Sequence, residues 1–151
     1  MEQFAAIDLG SNSFHLLVAR EEENVLTVID REREMVRLSA GLDKKNLITD
    51  KASARALDCL ARFGERLRGL NPDNVRVVGT NALRKAKNSK QFIASAEKAL
   101  GFSIEIISGV EEARLVYLGA AQTLQGDRGR RLVVDIGGGS TEIIVADKSE
   151  P

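Results

Sequence analysis

Two stretches of this sequence repeat one another. Residues 6–13 read Ala-Ile-Asp-Leu-Gly-Ser-Asn-Ser, and residues 133–140 read Val-Val-Asp-Ile-Gly-Gly-Gly-Ser. The same offset that carries Asp8 onto Asp135 carries Leu16-Leu17-Val18-Ala19 onto Ile143-Ile144-Val145-Ala146, so the match runs without gaps. Each copy is a strand, an Asp, a Gly-rich turn ending in Ser, and a second strand. An ordinary two-residue hairpin turn needs only one or two special backbone positions. These turns hold more: a carboxylate at the mouth, glycines that let successive N–H groups converge, and the hydroxyls of Ser13 and Ser140. The physical reading is capture of an anion; a plain hairpin that happens to contain Gly and Asp is the alternative for either copy alone. No Gly-Lys-Ser/Thr follows, and a strand rather than a helix comes next, which excludes a Walker loop. No Gly-x-Gly-x-x-Gly opens a helix, which argues against a dinucleotide fold.

The segments between the copies set the fold class. Residues 4–9, 14–20 and 25–31 read as three successive strands with short connections, and 35–38 extends the third or adds a short one. After a polar loop over 42–49, residues 50–70 are helical, with Ala54, Leu57, Leu60, Phe63 or Gly64, Leu67 and Leu70 on one stripe. Asn71-Pro72-Asp73-Asn74 stops that helix. Residues 75–79 form a strand with little alternation, hence one buried on both faces. A short helix covers 80–86. Asn88 is placed to cap the next helix, with Gln91 in the capping-box position and Gly101 as its C′ residue. Residues 102–107 are a strand, 108–125 a helix, 126–130 a charged turn, and 131–136 and 141–146 two strands. The order βββ-α-β-α-β-α suits a mixed sheet flanked by helices, the order of a ribonuclease H-like domain. Residues 1–125 are thus a complete first lobe. Residues 126–151 open something new, the first hairpin of a second lobe.

Composition narrows the chemistry. The 151 residues suit one domain of common size, and 22 Lys and Arg balance 22 Asp and Glu. No global field draws the chain to nucleic acid or to a membrane surface, so an anion has to be held by local groups. The single cysteine, Cys59, excludes an internal disulfide and lies in the helical pattern of 50–70 as a small buried residue. No basic segment followed by an apolar run opens the chain, and no stretch approaches membrane-spanning length. The expected location is the cytoplasm.

Residues 104–114 read Ile-Glu-Ile-Ile-Ser-Gly-Val-Glu-Glu-Ala-Arg. Ser108 stands three residues before Glu111, the spacing of a capping box, which gives Glu111 a structural task. Glu112 is not needed for that. It is either a favourable charge in the first turn of the helix or a carboxylate aimed at chemistry. His15, the sole histidine, shares a face with Ser13 and aligns with Glu142 in the repeat; its ordinary role is structural. No Ser-His-Asp, Cys-His or phosphohistidine set can be assembled, so attack by water is expected. Arg84, flanked by Lys85 and Lys87, follows the strand over 75–79. It is a solvated helix arginine or a guanidinium for a phosphate.

The paired hairpins resemble those of the actin-like superfamily of sugar kinases, chaperone ATPases and acetate kinases, where two lobes grip phosphates across a cleft. Four blocks, IDLGSNSFHLL, VVGTNALR, IEIISGVEEARL and VVDIGGGSTEIIV, together resemble the exopolyphosphatase and guanosine pentaphosphate phosphohydrolase (Ppx/GppA) family, nearly end to end and in the family's order. That resemblance implies removal of the terminal phosphate of inorganic polyphosphate, or of the 5′ γ-phosphate of guanosine pentaphosphate. It implies that Glu112 positions and deprotonates the water. It further implies that Gly10, Ser11, Asn12, Ser13, Gly137, Gly138, Gly139 and Ser140 hold phosphate oxygens and that Arg84 clamps a phosphate. Asp135 and Glu142 match the family's magnesium-linked acids, with Asp8 joining them or orienting a metal-bound water. Mg2+ or another divalent cation is the expected cofactor.

Family members continue through a full second domain. The expectation is therefore an N-terminal segment, nearly inactive alone, of a full-length protein that forms a homodimer. Two strands cannot bury a core of their own, so the closing hairpin is expected to pack on another copy or to be disordered. Two other readings remain at this point: an ATP-binding module of the actin or chaperone kind, and a phosphoanion-binding domain without catalysis.

Overall fold

The computed structural model describes residues 2–123 and 129–147. Five strands form one mixed sheet: β1 (Glu2–Leu9), β2 (Phe14–Glu22), β3 (Val25–Glu34), β4 (Val75–Gly79) and β5 (Glu105–Ile106), in the spatial order β3-β2-β1-β4-β5. The first three are antiparallel meander strands, while β4 and β5 add in parallel through helical crossovers. This is the ribonuclease H-like sheet, flanked by helices, expected from the element order. The helices are α1 (Asp50–Arg66), α2 (Asn81–Lys85), α3 (Ser89–Leu100) and α4 (Gly109–Thr123). A separate two-stranded ribbon, β6 (Arg130–Ile136) and β7 (Thr141–Asp147), follows. The end of the expected helix at 124–125 and most of the charged turn after it lie outside the described residues.

Alternation decides which face of the sheet is core. Ala5, Ile7 and Leu9 of β1 and Phe14, Leu16 and Val18 of β2 are buried on one side, under α1 and α3. Full burial of a Leu or Phe of this kind contributes about 1.5–3 kcal/mol. Asp8 and His15 point to the opposite side, where the functional residues collect.

Several local expectations change. Helix α1 ends at Arg66 rather than Leu70, because Gly69 turns with φ +90. Its buried stripe is Ala52, Ala56, Cys59, Leu60 and Phe63, with Leu67 just beyond, and Ala54 faces solvent. Strand β3 runs on to Glu34, since Arg62 of α1 pairs with Glu34 and Arg66 with Asp30 and Glu32. Strand β4 is not buried on both faces, since Arg76 is exposed and pairs with Glu105. The strand expected over 102–107 contracts to two residues. Asn88 does not cap α3, and no capping box with Gln91 forms. Its side chain instead donates to the Ile48 carbonyl (3.1 Å) and accepts from the Ile48 N–H (2.9 Å), pinning the loop before α1.

The β6–β7 ribbon finds cover within this chain. One face sits on α4, where fully buried Tyr117 reaches the Ala146 carbonyl at 3.5 Å. The other face, with Leu132, Val134, Ile136, Ile143 and Val145, is exposed.

Candidate active site

The two repeated turns close in the same way. The Gly10 N–H donates to the Ser13 carbonyl at 3.2 Å, and the Gly137 N–H donates to the Ser140 carbonyl at 3.0 Å. A four-residue turn of this form frees the intervening N–H groups, the arrangement that gathers oxyanions. The turns also face each other. A side chain at Gly138 would meet Asn12 Cβ at 2.6 Å, and one at Gly139 would meet Ser11 Oγ at 2.5 Å. Contact this close requires residues without a Cβ.

Neighbouring segments hold the first turn in place. The Arg37 N–H donates to the Asn12 carbonyl (2.7 Å) and the Ser39 N–H to the Ser11 carbonyl (2.9 Å). Arg37 takes a left-handed backbone (φ +53) to do so, a conformation that strains a residue with a Cβ. The second turn is tied down by Asn81 of α2, whose Nδ2 donates to the Gly139 carbonyl at 2.6 Å. Asn81 is buried, so this bond is partly shielded from water.

Between the turns lies a groove of about 520 Å3, within the range of small-ligand sites. Its lining includes Asp8, Gly10 to Ser13, Glu112, Asp135 and Gly137 to Ser140. Eleven expected site residues therefore share one cavity in company with His15. Arg84 and Glu142 do not line it. Arg84 stands behind Glu112: its Nη1 donates to Glu112 Oε2 (2.9 Å) and to the Ile107 carbonyl (2.8 Å). Glu142 is buried beside Gly109, Val110 and Ala113, and its Oε2 has no hydrogen-bond partner among the described residues.

The sequence reading passed over Arg33, Thr80 and Asn81. Arg33 and Thr80 line the groove, and Asn81 fastens its far wall. A local signal existed only for Thr80 and Asn81, which lie in the same block as Arg84. Arg33 enters through the register of β3 on β2, which no local pattern gives.

The start of α4 follows the sequence in part. Ser108 Oγ accepts from the Glu111 N–H at 3.1 Å, half of the expected capping box. The Glu111 carboxylate turns instead to Arg114, whose Nε and Nη2 both reach it at 2.8 Å, and that ion pair holds its carboxyl below the usual range. Glu112, one position on, is left to face the groove.

Electrostatics mark the acidic end. Burial pushes the Asp8 carboxyl up to about 6, reinforced by the negative charges of Glu112 and Asp135. Glu112 is also raised, first by burial and further by Glu142 and Asp135, while its hydrogen bond to Arg84 pulls the other way. The burial has a visible source. Val78, Ile107, Leu115 and Val116 line a hollow that adjoins Asp8, Glu112 and Asp135 and place apolar side chains beside them. At the other side of the groove His15 Nε2 lies 2.8 Å from Ser13 Oγ, and burial together with the Arg33 charge lowers its pKa. Among the described residues no three His, Cys, Asp or Glu side chains gather closely enough to enclose a cation by themselves.

Two matched turns thus face one another across a groove, with Glu112 held by Arg84 and the carboxylates of Asp8 and Asp135 beside it. Residues 17–151 match the Ppx/GppA phosphatase family. The chain belongs to that family. It is 50% identical over 147 residues to a guanosine-5′-triphosphate,3′-diphosphate pyrophosphatase of Aeromonas hydrophila, covering 97% of this chain and 29% of that protein. Its structure superposes on an exopolyphosphatase from Cytophaga hutchinsonii with a TM-score of 0.91 at 33% identity, covering 99% of this chain and 48% of that one. The Ppx/GppA enzyme of Aquifex aeolicus gives a TM-score of 0.87 at 28% identity, covering 99% and 50%. The chain therefore spans from under a third to about half the length of these Ppx/GppA relatives. The sheet and ribbon have the architecture of an actin-like ATPase domain, as the paired hairpins imply.

Proposed function

We propose that this chain forms the phosphate groove and supplies the catalytic carboxylate of a phosphoric anhydride hydrolase that releases terminal orthophosphate from inorganic polyphosphate. The observation that carries this is the position of Glu112, turned into a groove between two matched anion-gathering turns and held there by Arg84.

Phosphoryl transfer through a loose transition state calls for in-line placement and charge neutralisation more than for a strong base. The N–H groups of the turns over 10–13 and 137–140, with the hydroxyls of Ser11, Ser13 and Ser140 and the Asn12 amide, hold the oxygens of the terminal phosphate. Glu112 accepts a hydrogen bond from the attacking water and takes its proton as the bond to phosphorus forms. Arg84, standing behind Glu112, fixes its carboxylate toward the groove. Water attacks directly, the bridging P–O bond breaks as the new one forms, and the shortened polyphosphate leaves with the bridging oxygen, so no covalent intermediate forms on the protein.

The donor set fits a divalent cation. Asp8 and Asp135 offer hard oxygens on the groove, and a cation would offset both causes that raise the Asp8 pKa, burial first and then the charges of Glu112 and Asp135. Too few acids converge to hold an ion alone, so phosphate oxygens and waters would complete the shell, as suits magnesium. Asp8 and Asp135, with Glu142 and its unpartnered oxygen nearby, would hold it. Bound there, it would neutralise charge developing on the phosphate oxygens.

The exposed apolar face of the ribbon supports assigning β6 and β7 to a second lobe, which the longer relatives have room for. The 151-residue chain alone is then nearly inactive, and the intact protein is a cytoplasmic homodimer. No helix among the described residues is long and apolar enough to cross a membrane. Phosphate release from polyphosphate with magnesium, measured on the intact protein and on this segment, tests the reading. Turnover only by the intact protein supports it, and robust turnover by the segment defeats the assignment of the second lobe.

The 50% identity to a guanosine-5′-triphosphate,3′-diphosphate pyrophosphatase supports a second reading, with guanosine pentaphosphate as substrate. Release rates on the two substrates, compared on the intact protein, separate them.

A further inference from the structure

Three residues lie abreast across the open face of the sheet. Asp8 of β1 pairs with His15 of β2, and His15 pairs with Arg33 of β3. Residues directly opposite in an antiparallel ladder project to the same side, and all three line the groove. Neighbouring strands are about 4.8 Å apart. The Arg33 backbone is therefore about 10 Å from that of Asp8, so its side chain enters the groove two strands away from the acid. The charges of β3 are sorted by face. Asp30, Glu32 and Glu34 are taken up on the other side by Arg62 and Arg66 of α1. Arg33 has no ion-pair or hydrogen-bond partner among the described residues, and it is the arginine on the groove, since Arg84 is held behind Glu112. An uncommitted guanidinium at the edge of an anion groove is shaped for bidentate contact with phosphate oxygens.

Resting on the polyphosphate reading, we propose that Arg33 is a substrate-binding residue that holds an internal phosphate of the chain, beyond the terminal one gripped by the two turns. The groove then has a direction. The terminal phosphate lies among Asp8, Glu112 and Asp135, and the rest of the polyanion leaves across His15 toward Arg33. The reaction needs Arg33 for holding the chain and not for the transfer itself, so its removal acts on KM.

Steady-state kinetics of the intact protein on long-chain polyphosphate tests this, with orthophosphate as a competitive inhibitor reporting on the terminal site. Arg33→Ala is expected to raise KM about tenfold, the size of one lost charge-assisted hydrogen bond. It should leave kcat within about twofold and the orthophosphate inhibition constant unchanged. Arg33→Lys should recover part of the loss. Arg31, two residues earlier on the same face of β3 but not lining the groove, is the control, and Arg31→Ala should match the wild type. An unchanged KM in Arg33→Ala, an equal loss in Arg31→Ala, or a loss confined to kcat overturns the proposal while leaving the hydrolase reading in place. No phosphate release by the intact wild-type protein removes that reading and this proposal with it.

Discussion

Arg84 Nη1 lies 2.9 Å from Glu112 Oε2, with the two side chains only 24% and 14% exposed. The same Nη1 donates to the Ile107 carbonyl, so the guanidinium joins α2 to the start of α4. Burial favours the protonated acid, and Arg84 opposes it. In Arg84→Met the opposing influence is gone, so the Glu112 pKa rises further. The acid limb of the kcat/KM profile of the intact protein should then move to higher pH. An unmoved limb, measured on polyphosphate with magnesium, would show that Glu112 is not the group titrating there.

Glu112→Gln keeps the shape and removes the base. It should lower kcat by roughly 10²–10⁴-fold, with KM and the melting temperature little changed. Isothermal titration with polyphosphate should still detect binding. If binding vanishes with turnover, Glu112 acts as a binding group and the catalytic assignment is wrong.

Asp8 makes stability depend on pH. Its carboxyl rises from 3.8 to about 6 on folding, so the folded state holds the proton more tightly than the unfolded chain. Its contribution is fully present below about 4 and is lost as pH rises through about 6. In EDTA, the melting temperature of Asp8→Asn should exceed that of the wild type at pH 7, and the difference should shrink as pH falls below 5. Magnesium should narrow the gap at pH 7 by stabilising the wild type alone. A constant difference at all pH values would refute the linkage.

Gly139→Ala drives a methyl group to 2.5 Å from Ser11 Oγ and 2.6 Å from Asn81 Nδ2. The two turns must part, at a cost of about 1–3 kcal/mol, and displacement of the site by about 1 Å can lower kcat/KM roughly 10²-fold. Gly119→Ala is the contrast. Among the described residues nothing lies within 4 Å of its added Cβ, and it sits in α4. That variant should gain up to about 1 kcal/mol of stability from helix propensity, measurable by urea unfolding, with activity unchanged.

Asn88→Ala removes both hydrogen bonds to Ile48, which is buried. The orphaned N–H and carbonyl should cost about 1–3 kcal/mol, without the loss of α3 that a capping role would predict. Hydrogen exchange should quicken around residues 43–48 and not at the start of α3.

What could be read along the chain was what local chemistry dictates. The strand–Asp–Gly–Ser repeat specifies its own turn because the glycines and hydroxyls act on backbone groups one to three residues away. The Ser108 cap and the C′ glycine at 101 are legible for the same reason. Asn88 misled because an Asn before a helix serves a cap or a distant carbonyl equally well, and only packing placed Ile48 within reach.

Tertiary structure alone decided the neighbours. Periodicity puts Asp8, His15 and Arg33 each on a face of its own strand, but the ladder register aligns them, and a slip of one residue in β3 would turn Arg33 away. Likewise, the chemistry of the turns was written in residues 10–13 and 137–140, whereas their union depends on Asn81 reaching Gly139 across 58 residues. Local sequence fixes what a segment can offer. The long-range packing energy of the whole chain fixes what it is offered to.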